Sequence, residues 1–288
     1  MWEKVKELSF KLFGHSLEKY VVYFDSIKTD LQRANIGLSL TEYVYIMFFT
    51  LLMVFVLEFP AIVVISTFVL QRASVSYLLS LTATIFILLL VFFMFYTYPS
   101  YIANSRKKNI DAVLPFATTY MATVASSGAP PTTMFRVLGQ FKEYGELSKE
   151  SAKVAKDVDA FGMDLVSSIR KIATRTPSEQ LKELLYGLDT IITTGGNLSD
   201  YLHEKSRLFL QEYRRSLERY SQTLSLLTEV YLTLIVVGSI FFIVMTALMS
   251  IFSGGSNQIL IFLQFVVIFI ALPLVSVGLI ALLRTINP

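Results

Sequence analysis

Long apolar runs alternate with polar stretches along this chain, and the alternation separates membrane segments from aqueous ones. Four runs, at residues 43–70, 77–98, 230–252 and 259–283, are long enough to cross about 30 Å of hydrocarbon as helices. The only long polar stretch between them is 99–225. The pattern predicts an all-α, polytopic membrane protein with four transmembrane helices. A cytoplasmic helical-bundle domain is inserted between the second and the third.

Residues 1–42 form a separate polar segment before the first transmembrane hairpin, 43–98. We expect two short amphipathic helices here, with a break at Gly14. Apolar residues recur at three-to-four spacing in the second helix, which predicts one buried face: Leu17, Tyr20, Val21, Phe24, Ile27 and Leu31. We expect this helix to lie against the central domain or the membrane surface. The remaining predicted domain is a second transmembrane hairpin, 226–288.

Helix-breaking residues divide the central domain into a series of predicted helices. The spacing of apolar residues and breakers predicts helices at 109–126, from Pro130 or Pro131 to about 144, at 147–160, from about 163 and at 177–194. Gly128 fits a left-handed helix end, and Thr176-Pro177-Ser178-Glu179 fits a capping box with proline at the first helical position.

Gly195-Gly196 is interpreted as the turn of a helical hairpin. A phosphate-binding loop would need a strand before the glycines and a Lys-Ser/Thr pair after them, and the sequence has neither. Asn197 and Asp200 can begin the next helix.

An apolar stripe then runs from Leu198 into the third span, with no glycine or proline before Gly238. It predicts one unbroken helix to residue 252, on the order of 80 Å long, that joins the cytoplasm to the bilayer. Arg214, Arg215 and Arg219 in its last cytoplasmic turns are expected to contact anionic lipid.

Composition and charge agree with a membrane protein. Apolar residues make up 54% of the chain and charged residues 16%, which is too apolar for a soluble domain of this length. Of 25 Lys and Arg, six lie in residues 1–42 and 17 in 99–225. Cytoplasmic flanks carry this excess, so both termini and the central domain are expected in the cytoplasm. A net charge of +3 without a basic stripe does not indicate nucleic-acid binding.

The sequence contains little that indicates catalysis, and we expect no metal and no cofactor. Cysteine is absent, and the two histidines, His15 and His203, lie far apart. The predicted spans hold no Asp or His, which argues against an intramembrane protease. They do contain Glu58, which suggests proton handling, an interhelical hydrogen bond or an interfacial role. Three aspartates near Phe161 are interpreted as a solvated face: Asp157, Asp159 and Asp164.

Five motifs occur in a fixed order in and around the central domain: Leu114-Pro115-Phe116, Ser126 to Pro131, Phe161 to Leu165, Thr176 to Glu179 and Gly195 to Leu202. Their order and spacing resemble the F-type domain of inner-membrane platform proteins of type II secretion and type IV pilus machines. The archaeal form, found in archaellum and adhesive-pilus platforms, is the most similar version. Single-domain platforms of tight-adherence pili are also similar. In the family, a turn at Gly162 separates two helices, and Asp164 opens the second.

The resemblance implies a non-enzymatic scaffold in the cell membrane. Such a platform engages a cytoplasmic hexameric ATPase and guides pilin or archaellin subunits. Many members carry the domain twice, so one copy implies a homodimer or pairing with a second platform subunit.

The candidate ATPase contact is the basic face of Arg170, Lys171 and Arg175, with Arg136 and Lys142 as a second patch. An ordinary solvated face is the alternative for these residues. A small four-helix transporter or channel is the alternative function, although a polar insertion of about 130 residues is larger than transport requires.

Overall fold

A computed structural model describes residues 21–70, 73–252, 262, 265–271 and 273–278 of the protein. All regular elements within these ranges are helices, which confirms the predicted all-α class. The chain divides into two compact units, Met1–Lys205 and Ser206–Pro288. The predicted first amphipathic helix, Gly14 and His15 lie outside the described residues.

The first unit opens with a short 3-10 turn, Val22–Phe24, and helix α1, Asp25–Arg33. Ile27 and Leu31 on one face of α1 are buried and pack with Tyr43. Phe24, Leu40 and Phe95 are partly buried against the same cluster. This described part of the second amphipathic helix therefore has the apolar face that the sequence predicts.

Two long helices, α2 (Leu40–Leu70) and α3 (Ala73–Ser126), pack against each other as a hairpin. A capping box begins α2: the Glu42 amide donates to Ser39 Oγ at 3.2 Å, and the Ser39 amide donates to Glu42 Oε2 at 2.9 Å. Near the other end, Ser66 Oγ donates to the Ser76 carbonyl at 3.3 Å, and Ser76 Oγ donates to the Ser66 carbonyl at 3.1 Å. Small side chains let the helices approach closely there.

Helix α3 corrects the prediction that a new helix begins at Asn109. It continues without a break from the membrane segment to Ser126 and includes Pro99 and Pro115. Each proline removes one backbone donor, and no glycine occurs between residues 73 and 126 to end the helix. The membrane hairpin and the helical bundle of this unit therefore share one helix.

Four shorter helices form a bundle with the C-terminal part of α3. They are α4 (Pro131–Leu138), α5 (Gly145–Asp159), α6 (Leu165–Ala173) and α7 (Glu179–Thr194), with a 3-10 turn at Lys142–Tyr144. The domain core is made of fully buried apolar side chains: Ile110, Leu114, Met134, Leu138, Ile169, Leu184 and Leu188.

Two predicted boundaries in this bundle are wrong for tertiary reasons. Helix α4 ends at Leu138 rather than near residue 144, because Gly139 lies against α5 and Ser148 Oγ donates to its carbonyl at 3.1 Å. A Cβ on Gly139 would be 2.9 Å from Ala152 Cα. Helix α7 begins at Glu179, and its cap is Ser178 rather than Thr176: the Leu181 amide donates to Ser178 Oγ at 3.0 Å.

The turns between these helices agree with the sequence. Gly128, Gly162 and Gly195 all have positive φ, between 63° and 74°. Asp164 caps α6 by accepting the Ser167 amide at 3.2 Å, so the turn at Gly162 does separate two helices.

The hairpin turn at Gly195-Gly196 leads into α8, Leu198–Tyr231. Asn197 Oδ1 accepts the Ser199 amide at 3.0 Å and the Asp200 amide at 3.3 Å. Helix α8 runs on across the boundary between the two units.

The second unit contains the rest of α8, a π-helical segment Leu232–Val237, and α9, Gly238–Phe252. The helix predicted from Leu198 to residue 252 is continuous, but its hydrogen-bond pattern widens to a π turn just before Gly238. Leu217, predicted to lie in the apolar stripe of α8, is 42% exposed.

Three described helices are long and apolar enough to cross a membrane: Leu40–Phe68, Ser76–Ser126 and Leu198–Met249. Of the predicted fourth span, 259–283, the structure describes residues 262, 265–271 and 273–278, which include a π-helical segment, Val267–Ala271. Arg72 and the turn at 253–257 lie outside the described residues.

Candidate functional site: the basic faces of the helical bundle

The five candidate cations lie on three elements of the bundle. Arg136 is on α4 and Lys142 is in the 3-10 turn that follows it. Arg170 and Lys171 are in the last turn of α6, and Arg175 lies just beyond that helix. Three of the five already have a carboxylate partner within the domain.

Arg136 forms a two-pronged ion pair with Asp159 at the end of α5. Its Nε and Nη2 donate to the two carboxylate oxygens at 3.0 and 2.8 Å. These hydrogen bonds hold the pKa of the Asp159 carboxyl below its ordinary value. Both side chains are more than 40% exposed, so the pair orients α4 on α5 but adds little stability.

Arg170 joins α6 to α7 in the same way. Its Nε and Nη2 donate to the carboxylate of Asp189 at 2.6 and 3.0 Å, and Asp189 also accepts from Thr193 Oγ1 at 3.4 Å. The hydrogen bonds from Arg170 hold the pKa of the Asp189 carboxyl below its ordinary value. The Asp189 side chain is only 11% exposed, so its charge depends on this arginine.

Lys171 joins α6 to α5. Its Nζ donates to Asp157 at 2.9 Å, and the same carboxylate accepts from Ser168 Oγ at 3.4 Å. Within the described residues no ion pair is formed by Arg175 or Lys142, and both are exposed. The three aspartates that the sequence suggests are solvated therefore have structural partners: two hold cations, and Asp164 caps a helix.

Arg106 on α3 is a central polar residue that the sequence reasoning missed. It is buried, and its guanidinium pairs with Glu146 at 2.7 Å and Glu150 at 2.5 Å, both on α5. It also donates to the backbone carbonyl of Arg33 at the end of α1. Glu146 and Glu150 are four residues apart and so lie on one helix face. This spacing is the sequence feature that could have predicted a cationic partner shared by the two carboxylates.

Other polar contacts tie α3 to its neighbours. Ser178 Oγ donates to Asp111, so the cap of α7 is fixed on α3. His203 Nε2 and Ser126 Oγ are 3.0 Å apart, which makes this histidine part of the packing between α3 and α8. No group of three or more potential metal ligands occurs in the described ranges.

Glu58 lies inside α2, in the membrane hairpin. Both of its carboxylate oxygens are buried, and neither has a hydrogen-bond partner among the described residues. Thr84 Oγ1 on α3 is also buried and has no hydrogen-bond partner among the described residues. Glu58 is eight residues from Ser66 on α2, and Thr84 is eight residues from Ser76 on α3, about 12 Å along each helix. Because Ser66 and Ser76 bond to each other, Glu58 and Thr84 lie at similar depth in the hairpin. The role of Glu58 stays a prediction.

Residues 117–246 of the chain match the protein family described as type II secretion system (T2SS), protein F. This match supports the assignment of these residues to the type II secretion F-domain family. The matched range starts in the C-terminal part of α3, includes the bundle and ends in α9. The resemblance expected from the sequence motifs is confirmed.

Archaeal proteins are similar to the chain over about half its length. Flagella accessory protein J of Methanococcus voltae is 28% identical over 145 residues, which are 50% of this chain and 26% of that protein. The protein of that name in Methanocaldococcus jannaschii is 26% identical over 137 residues, 47% of this chain and 24% of its own length.

An uncharacterized protein of Methanocaldococcus jannaschii is 28% identical over 150 residues, 52% of this chain and 25% of its own. The alignments thus cover about a quarter of each relative. No solved structure matches the chain.

These similarities support a relationship to the family of T2SS, archaellum and pilus platform proteins. Membrane platform proteins of this family are non-catalytic scaffolds, as we expected from the sequence, and the relatives are named as accessory proteins. The apolar helices and the family together indicate a multi-pass inner-membrane protein.

Proposed function

We propose that this protein is the membrane platform of an archaellum-like or type IV pilus-like machine, and that it couples a cytoplasmic hexameric ATPase to the assembly of pilin or archaellin subunits. The observation that carries the proposal is the F-domain match over residues 117–246, supported by relatives named flagella accessory protein J. Both termini and the bundle face the cytoplasm, and the platform works as a homodimer or beside a second platform subunit.

The continuity of α3 gives this proposal a mechanical basis. The helix belongs to the membrane hairpin at one end and supplies Ile110 and Leu114 to the bundle core at the other. Packed interiors transmit displacement because they are dense and resist compression. A force applied to the bundle would therefore reach the hairpin through α3 without crossing a flexible linker.

The proposed ATPase contact is the pair of basic faces that carry the five candidate cations. Arg136, Arg170 and Lys171 hold helices together, so reversing their charge would damage the domain as well as any docking. Arg175 and Lys142 are the suitable probes, because each is exposed and has no ion pair within the described residues. Exposed charges of this kind mainly affect association rate and salt dependence.

The test is retention of the partner ATPase by the full-length chain in detergent. The double variant Arg175→Glu/Lys142→Glu should retain less ATPase at about 0.15 M salt, and the difference should shrink at high salt because the charges are screened. A matched double variant, Lys108→Glu/Arg207→Glu, makes the same change in net charge at two other exposed sites and should bind normally.

Both variants must be inserted in the membrane at the wild-type level for the comparison to be valid. Equal ATPase retention by the two variants would remove these faces as the contact. Failure of the wild-type chain to copurify with an ATPase or pilins, together with solute flux in liposomes, would instead support a transporter.

A further inference from the structure

A polar pocket of about 210 Å³ lies inside the first unit, among α1, α3, α5 and α6. Its lining includes Gln32, Arg106, Lys153, Asp157, Lys171 and Arg175. Four different segments contribute cationic or amide donors to one concave surface. The F-domain match does not assign any role to it.

The pocket keeps a positive charge after its internal ion pairs are counted. Four cationic side chains line it, against the two carboxylates of Glu150 and Asp157. Glu146, which also pairs with Arg106, is balanced by its ion pair with Lys149, so an excess of two positive charges remains. Lys153 donates to Glu150 and to Asn35, both at 3.1 Å, and Lys171 donates to Asp157 at 2.9 Å. An ammonium group has three donors, so both lysines keep unused hydrogen-bonding capacity.

Arg175 is the strongest donor left for a ligand. Its guanidinium offers five N–H groups in a planar fork, and none of them has a protein partner in the described ranges. This geometry matches two oxygens of a phosphate or carboxylate group. The side-chain amide of Gln32 adds a further donor without a protein partner in the same part of the structure.

The pocket walls are held in place before any ligand binds. Glu150 and Asp157 are only 11% and 13% exposed, and they fix the two lysines from the α5 side. Buried Arg106 ties α3 to α5 and to the end of α1 beside them. Donors that are already ordered lose less conformational entropy on binding, which favours affinity for a small anion.

We propose that this pocket binds the phosphate group of a soluble ligand, either inorganic phosphate or a phosphate monoester. A phosphate dianion matches the excess charge of the pocket, whereas a single carboxylate from a protein would neutralise only half of it. Arg106 is eight residues beyond the predicted end of the second span, about 12 Å along the helix, which favours a soluble source over a lipid headgroup.

The test is isothermal titration of the detergent-solubilised full chain with four probes at low chloride: inorganic phosphate, adenosine monophosphate, a short-chain phosphatidylglycerol and an aspartate-rich peptide. Binding should be saturable with one site per chain. Arg175→Gln should weaken it by about tenfold or more, because it removes charge-assisted hydrogen bonds. Lys142→Gln removes the same charge outside the pocket and should leave affinity unchanged.

The probes separate the possible sources of the phosphate group. Arg175-dependent binding of phosphate or the monophosphate supports the soluble ligand, and Arg175-dependent binding of the lipid alone assigns the pocket to a headgroup. No saturable binding, or equal weakening by both variants, would overturn the proposal. So would Arg175-dependent binding of an aspartate-rich peptide in the absence of phosphate binding, since that result identifies a protein contact.

The measurement uses no ATPase, so its failure would not bear on the platform proposal.

Discussion

At the residue scale, Arg106 is a buried charge that links three helices of the first unit. It is buried, and its donors satisfy two carboxylates on α5 and a backbone carbonyl at the end of α1. Buried charges are tolerated when they are paired and hydrogen-bonded, and removing one partner leaves the other uncompensated. Arg106 thus fixes the junction where the amphipathic helix, the membrane helix and the bundle meet.

The variant Arg106→Gln should lower the stability of the domain by about 3 kcal/mol, the low end for a broken buried pair, because Lys149 and Lys153 still neutralise part of the glutamate charge. Thermal unfolding of the solubilised chain, followed by circular dichroism, measures the change. Lys108→Gln, an exposed charge on the same helix, is the control and should unfold as the wild type does.

Adding Glu150→Gln to Arg106→Gln should recover part of the loss, since it removes one of the two stranded carboxylates. An unchanged unfolding temperature for Arg106→Gln would show that the buried network contributes no net stability.

At the scale of elements, α3 and α8 are the two helices that extend well beyond a single span. Helix α3 passes through Pro99 and Pro115 as one helix. Helix α8 keeps its α-helical form from Leu198 to Tyr231 and then changes to the π segment Leu232–Val237. The π segment is the one place between Leu198 and Phe252 where the regular hydrogen-bond pattern changes, so it is where we expect bending.

Two insertions in α8 test whether it transmits orientation. Two residues inserted between Ser221 and Gln222 would rotate one end by about 200°, whereas seven would restore the face to within about 20° and lengthen the helix by roughly 10 Å. If α8 passes orientation from the cytoplasm to the membrane, the two-residue insertion should abolish filament assembly and the seven-residue insertion should retain some.

Both insertion variants must be present in the membrane and still bind the ATPase for this result to be interpreted. Equal filament assembly would mean that α8 acts as a flexible joint, with the π segment as the obvious site of bending. Coupling would then have to pass through α3.

At the scale of the whole molecule, membrane topology is the main prediction that the structure does not test. It rests on the distribution of Lys and Arg, 23 of which lie in residues 1–42 and 99–225. Three described helices can span the membrane. If both termini are in the cytoplasm, the number of crossings must be even, and the predicted span at 259–283 is then the fourth.

Single cysteines at Ser74 and Ser256 measure the topology directly, because the natural sequence has no cysteine. Both should react with a membrane-impermeant maleimide added outside intact cells. Ser74 follows the apolar run that leads away from the N-terminal segment, and Ser256 follows the run that leads away from the central domain. A cysteine at Ser127, in the bundle, should react only after permeabilisation. The reverse pattern would place the bundle outside and exclude contact with a cytoplasmic ATPase.

The features that the sequence determined by itself are those with local causes. Apolar runs long enough to cross a bilayer predict membrane helices. The sequence also predicts turns at Gly128, Gly162 and Gly195, and all three have the positive φ that glycine adopts readily. Asp164 and Asn197 cap helices because their side chains reach amides two or three residues away. The ordered set of such breakers also led to the F-domain family without any structure.

The features that only the tertiary structure decided depend on partners distant in sequence. Helix α4 ends early because α5 binds the Gly139 carbonyl, and α7 is capped by Ser178, which is also bound to Asp111 on α3. The largest difference between the expectation from the sequence and the structure concerns the basic faces. Local sequence shows only that Arg136, Arg170 and Lys171 are cationic, whereas packing brings each one to a carboxylate 14 to 23 residues away and leaves Arg175 unpaired within the described residues. Charge can be counted along a chain, but its availability to a partner is set by which helices pack together.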